Sequence, residues 1–192
     1  MAFGSSPSDR LSLRLLRERD ARELHELIEA NREDLATWLP WAAAQTMADS
    51  EAFIARSREQ LEADEAVQVA VVQRGRIVGM VGFPQIDWQR RMATIGYWLT
   101  AEERGSGLAS AAVRQLVRHA FDVWELEWVE IRVAAENRRS RAVAERLAFR
   151  QDRVLAGAEL VGERRLDLVV YAMTAAQWRL ASREPGAQRR RR

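Results

Sequence analysis

Between Thr100 and Phe121 the chain reads TAEERGSGLASAAVRQLVRHAF, and no other stretch constrains the fold as tightly. Arg104, Gly105, Ser106 and Gly107 stand directly before an apolar-periodic run long enough for a helix. Ahead of them MATIGYWL, Met92 to Leu99, has the composition of a strand. The fold must therefore contain a strand, a glycine turn and a helix in immediate succession. Backbone N–H groups in the first turn of a helix have no internal partner, and the helix dipole adds partial positive charge there. Glycines at that point leave those donors open to an anion. A plain flexible turn before a helix has the same composition, so the remaining chain has to decide.

Two familiar anion-binding patterns fit poorly. A dinucleotide fingerprint would share Gly105 and Gly107, but its third glycine position holds Ser110 and five residues separate Leu99 from Gly105. Such a site also follows the first strand of its unit in a tight turn. A phosphate loop of the Walker type needs a lysine, and all 30 basic residues here are arginine. The absence of lysine also removes Schiff-base chemistry and a lysine base. There is no cysteine, hence no disulfide, no thiolate nucleophile and no cysteine–zinc site. His25 and His119 lie far apart without metal-ligand spacing, so no metal is expected.

The formal charge is only +2 at pH 7. The ending REPGAQRRRR carries five arginines and one glutamate, so residues 1–182 are slightly acidic and are not expected to bind DNA. No secretion signal or membrane-length apolar run is evident, which predicts a cytoplasmic protein without a membrane partner.

Leu11 to Leu16 alternates as a strand. Asp20 is placed to cap a helix through Leu24, Leu27 and Ile28, which Pro40 in LATWLPW interrupts. A second helix is expected over Asp49–Ala63. AVQVAVVQ and RIVGMVGF, joined by Arg74 and Gly75, read as a hairpin. After Met92–Leu99 come a helix to about Phe121, a strand at Trp128–Val133, a helix over RRSRAVAERLAF, a last long strand RLDLVVYAM and a short helix around TAAQWRLAS. One domain over 1–182 is expected, with 183–192 an arginine-rich, disordered tail.

Arg104-x-x-Gly107-x-Ala109 resembles the Q/R-x-x-G-x-G/A signature of the GNAT acetyltransferases. WLPW, ATIGYWL, the glycine turn, AAENRRSRAVAERLAF and GAELVG with RRLDLVVYAM follow in the order of the RimJ/RimL branch, which includes ribosomal-protein N-terminal acetyltransferases. The resemblance spans roughly residues 10–180. It implies an α/β fold of α+β type, the GNAT acyl-CoA N-acyltransferase fold, whose mixed and mostly antiparallel sheet is splayed at its centre between helices on both faces.

By the same resemblance acetyl-CoA is the co-substrate, held by Trp98, Leu99, Arg104, Gly105, Ser106, Gly107, Leu108, Ala109, Asn137 and Ser140. The Leu99 N–H would face the thioester oxygen, Ser140 would protonate the departing thiolate, and Glu159 would be the general base. Many members carry a tyrosine acid where this chain has Ala144, and a glycine where it has Ala148. Taken by themselves, Asn137 suits a helix cap, Ser140 a helix first turn and Glu159 an exposed loop. Trp38 and Trp41 either wall an acceptor groove or anchor the first helices. The activity implied is direct acetyl transfer to an amine in a ternary complex, with a protein N-terminal α-amine, such as a ribosomal one, as favoured acceptor. The alternatives are a small amine (amino acid, polyamine or drug) and a non-catalytic acyl-CoA-binding module. Ribosome association through the arginine tail and a homodimer are compatible with this reading.

Overall fold

A computed structural model describes residues 11–183. The opening strand β1 (Ser12–Leu15) leads through a 3-10 turn, Glu18–Asp20, into α1 (Ala21–Ala30). Asp20 precedes α1 as expected, but its side chain does not cap that helix. It turns back to accept from the Arg17 N–H at 2.7 Å and from the Arg14 guanidinium at 2.5 and 3.1 Å. Burial pushes its carboxyl up, yet the Arg14 and Arg17 hydrogen bonds and the Arg14 charge outweigh it and hold the group below the usual carboxylate range. A carboxyl lowered in the folded state stabilises above its unfolded pKa and loses that contribution as pH falls through the folded value. Asp20→Asn is therefore expected to cost about 2 kcal/mol at pH 7, read by urea unfolding. The variant's stability should also depend less on pH below about pH 4 than the wild type's.

The first helix pair ends with α2 (Arg32–Ala36), and the WLPW segment crosses to α3 (Met47–Glu62). That helix starts two residues before the expected Asp49, because Thr46 and Asp49 form a reciprocal capping box. Strands β2 (Val67–Gln73) and β3 (Arg76–Asp87) form the expected hairpin, with Arg74 and Gly75 both left-handed at φ 50° and 81°. Then come β4 (Met92–Leu99), α4 (Leu108–Asp122), β5 (Trp128–Ala134) and α5 (Arg138–Arg146). The chain closes with β6 (Arg150–Val161), β7 (Arg164–Thr174) and α6 (Ala175–Arg183). Arg183, read from the sequence as the first tail residue, ends α6; the rest of the expected tail lies outside the described residues.

Seven strands form one sheet in the order β1-β2-β3-β4-β5-β7-β6. Every neighbouring pair is antiparallel except β4 and β5. On one face α1 and α3 bury Leu24, Ile28 and Ile54 against Ala70, Ile77 and Met80. On the other, α4 and α5 bury Leu116, Val117 and Val143 against Val81, Phe83 and Ile131. The mixed sheet with helices on both faces is the expected one.

Its centre is splayed. The parallel register of β4 and β5 runs only from Met92↔Trp128 to Ile95↔Ile131. Beyond that point β4 stays with β3 as far as Leu99, while β5 stays with β7 as far as Ala134. Two strands held by different partners must part, and the wedge between them opens toward the α4 glycine turn.

Ala148 shows how the chain tolerates a missing glycine. At the end of α5 the Phe149 N–H reaches the Ala144 carbonyl and the Ala148 N–H that of Glu145, both at 3.0 Å. This Schellman arrangement needs a left-handed residue, and Ala148 adopts φ 65°. An L-residue there costs about 1 kcal/mol. Ala148→Gly should thus raise stability by up to about 1 kcal/mol, seen as a higher urea midpoint with an unchanged slope.

Candidate active site

The wedge between β4 and β5 opens into a cleft of about 830 Å³, lined by the ends of β4, the glycine turn, the start of α5 and α2. The Thr100 N–H bonds the Val78 carbonyl of β3 at 2.9 Å. Backbone groups alternate along a strand, so those of Tyr97 and Leu99 point the other way, into the wedge. Among the described residues no strand covers this edge past Ile95. It offers an extended ligand a row of unused donors and acceptors. Trp98 also lines the cleft.

At the far end Gly105 and Gly107 are left-handed, with φ 75° and 84°, and Gly107 is the N-cap of α4. A Cβ at either would meet nothing within 4 Å, so open space lies above both. Ser106 braces the turn: its hydroxyl donates to the Glu103 carbonyl at 2.6 Å and accepts from the Leu108 N–H at 3.2 Å. That bond occupies the Leu108 donor, and the Leu108 side chain is buried in the core. The N–H groups of Gly107, Ala109 and Ser110 have no partner within the helix. Arg104 pairs with Asp34 of α2. Arg139 and Arg146 of α5 complete a basic rim, with Arg146 also bonding the Ser110 hydroxyl at 2.8 Å. Burial first, and the Arg139 charge second, pull Arg104 below the usual arginine range. An anion between the two would relieve that repulsion, so the turn fits a phosphate-bearing ligand.

Asn137 takes its capping role: Oδ1 accepts from the Ser140 N–H at 3.0 Å at the start of α5. Its side chain also lines the cleft. Ser140, one turn in, meets a partner that no sequence motif assigns to it. The Tyr97 hydroxyl donates to the Ser140 carbonyl at 2.9 Å and lies 2.8 Å from the Ser140 Oγ. Desolvation pushes the Tyr97 phenol up to about 12, against the opposing effect of the Ser140 hydrogen bond. A phenol thus comes from β4 where the α5 position Ala144 is buried and apolar. Tyr97 was legible as the residue two before Leu99 in ATIGYWL, hence on the same strand edge. No motif singles out Arg139 and Arg146 either, although their spacing of seven on α5 places them on one helix face.

Glu159 lies apart. It is half-buried on β6 opposite Leu166 of β7, and lines neither the cleft nor the cavity described next. Alternate residues share a face, so Glu159 is on the side of Val161 and Leu166, which pack with Trp38. Trp38 in turn lines the cleft. A second cavity of about 530 Å³ opens on the α1 and α3 side of β4 and shares Leu39, Tyr97 and Trp98 with the cleft. Trp41 is at its wall, its ring centroid 6.2 Å from that of Trp98. His25 and His119 line neither space. Among the described residues no group of acidic and histidine side chains could hold a metal ion, and no helix is long and apolar enough to cross a membrane.

Comparisons with known proteins agree on one family. A family model described as "Acetyltransferase (GNAT) domain" matches residues 10–150. The "Putative ribosomal N-acetyltransferase YdaF" of Bacillus subtilis (strain 168) is 33% identical over 178 residues, covering 92% of this chain and 97% of that protein. The "Ribosomal-protein-serine acetyltransferase" of Escherichia coli (strain K12) is 26% identical over 166 residues, 86% of this chain and 93% of its own. Among solved structures, the microcin C7 self immunity acetyltransferase MccE in complex with acetyl-CoA and AMP superposes with a TM-score of 0.83 at 28% identity. It covers 88% of this chain and 97% of its own.

Proposed function

Because the chain belongs to the GNAT acetyltransferase family, we propose that it moves an acetyl group from acetyl-CoA to an amine, by direct transfer, with a protein N-terminal α-amine as favoured acceptor. The observation that carries this reading is the parting of β4 and β5. It turns the backbone of Tyr97 and Leu99 toward a single cleft that ends on the α4 glycine turn. Two relatives named for ribosomal acetylation support the acceptor.

Acetyl-CoA supplies the activated thioester; the chain supplies everything else. The N–H groups of Gly107, Ala109 and Ser110, with Arg104, Arg139 and Arg146, hold the phosphates. Tyr97, Leu99 and the Asn137 amide hydrogen-bond the pantetheine arm. The Leu99 N–H donates to the thioester carbonyl oxygen as negative charge develops on it. As the amine nitrogen bonds to the acetyl carbon and the carbon–sulfur bond breaks, Glu159 takes the amine proton through water. Ser140 gives its hydroxyl proton to the thiolate and regains one from solvent, while the Tyr97 phenol, protonated throughout the working range, holds the serine in place through its hydroxyl contact.

Thiol release from acetyl-CoA, measured with peptides, small amines and no acceptor, tests the reading. Release that requires a peptide N-terminus is expected. Release with small amines alone would overturn the acceptor, and cofactor binding without release on any amine would make the chain a binding module. Ser140→Ala should lower kcat about tenfold, less at higher pH, since water can replace a lost donor and the thiolate then leaves unprotonated more readily. Tyr97→Phe should cost about threefold and add little on top of Ser140→Ala, because the phenol acts through that serine.

A further inference from the structure

The second cavity has a composition that says what it takes. Leu24, Ile28, Leu39, Phe53, Met80 and Pro84 line it, and Trp41 and Trp98, tilted against each other, form part of its wall. Trp41 remains 39% exposed, a large apolar surface left in water at the cavity. The charged groups present are Asp49 and Arg56, of opposite sign. Asp49 is already engaged, accepting from the Thr46 N–H at 2.9 Å and from the Thr46 hydroxyl at 2.6 Å. No set of free carboxylates is available to hold a polycation, so a polyamine is poorly matched. Of the two amides on the wall, that of Gln45 donates to the Ser50 hydroxyl at 3.5 Å, and that of Gln68 has no such engagement. It lies against Gly82, where a Cβ would come within 2.3 Å of its Oε1. A largely apolar chamber with a few placed polar groups, the Gln68 amide among them, within the roughly 300–1,000 Å³ typical of ligand pockets, selects a bulky apolar group next to a hydrogen-bonding one.

The geometry points to an acceptor whose amine-bearing carbon carries a large apolar or aromatic side chain, and we propose that the second cavity seats that side chain. The inference rests on the transfer reading above. Sharing Tyr97, Trp98 and Leu39 with the cleft puts the cavity directly beside the expected position of the thioester. An amine at the wedge would drop its neighbouring side chain into the chamber, with the Gln68 amide available to the carbonyl that follows. A serine or alanine side chain would leave most of the space empty and forgo those contacts. The serine in the name of the Escherichia coli relative is therefore the informative comparison.

Peptides identical after the first residue, beginning with Ser, Ala, Met, Leu or Phe, test the proposal through kcat/KM. Phenylalaninamide and alaninamide form a second arm that separates a peptide source from a free amino-acid one. Phe and Leu should exceed Ser and Ala by about tenfold or more. A flat or reversed order overturns the proposal. Calorimetric titration of the same peptides into the protein saturated with coenzyme A ranks them without turnover. If no acceptor is acetylated, the transfer reading fails while this ranking still judges the cavity. Gly96→Val supplies a structural check, because a Cβ at Gly96 would meet only Pro84, at 3.6 and 3.8 Å, and would project into the cavity. The Phe-to-Ala ratio should shrink about tenfold in that variant. An unchanged ratio in a variant that still binds coenzyme A means the side chain sits elsewhere.

Discussion

Glu159→Gln is expected to bind coenzyme A normally and to lose about 10²-fold in kcat at neutral pH, the lower end of general-base contributions. The substitution keeps size and hydrogen bonding and removes only the basic site. The lower end follows from two facts. Glu159 lines neither cavity, so under the proposed mechanism it would reach the amine through water. An α-amine also titrates near pH 7.7–8.0, so about a tenth or more of it is already neutral at pH 7. Raising the pH supplies more of the neutral amine, so the defect should shrink from pH 7 to pH 9. The measurement is kcat against pH with one good acceptor. If Glu159→Gln keeps near-normal kcat across that range, the base lies elsewhere or the amine arrives neutral. In the second case an acceptor with a more basic amine would restore the defect.

The fold was legible wherever one period or one turn dominated. The Arg74–Gly75 hairpin, the limits of β4 and the glycine N-cap of α4 each rest on local chemistry that a sequence displays. What escaped was chemistry made by distant partners. A strand after Ala148 was expected, but the bounds of β6 were not legible, because an edge strand with most of its residues exposed shows little apolar–polar alternation in sequence. Asp20 had the right type for a helix cap, but Arg14 and the Arg17 N–H, both before it in the chain, took its carboxylate. The site follows the same division. Glycines 105 and 107 and Asn137 were visible as a turn and a cap. The Tyr97 hydroxyl meets Ser140, 43 residues away, a contact that no spacing rule encodes. Family resemblance brought Glu159 forward, and its separation from both cavities appears only in three dimensions.

Gly107→Val should weaken coenzyme A binding by one to two orders of magnitude, a loss of about 1.4–3 kcal/mol. Two effects combine at this residue, and a matched control separates them. The first is strain, because a β-branched residue at φ 84° is held where L-residues are unfavourable. The second is obstruction, because the space above Gly107 is open in the protein and a Cβ there would enter the volume assigned to the phosphates. Gly75 in the β2–β3 hairpin has nearly the same conformation, φ 81°, and equally open surroundings, but lines neither cavity. Gly75→Val carries the strain without the obstruction. Both variants should lose comparable stability in urea, and only Gly107→Val should lose affinity in calorimetric titration with coenzyme A. Salt should then have less influence on the variant's remaining affinity, since phosphates pushed away from Arg104, Arg139 and Arg146 gain less from those charges. If the two variants bind coenzyme A alike, the helix N-terminus of α4 does not hold the phosphates, and the basic rim is left to hold them alone.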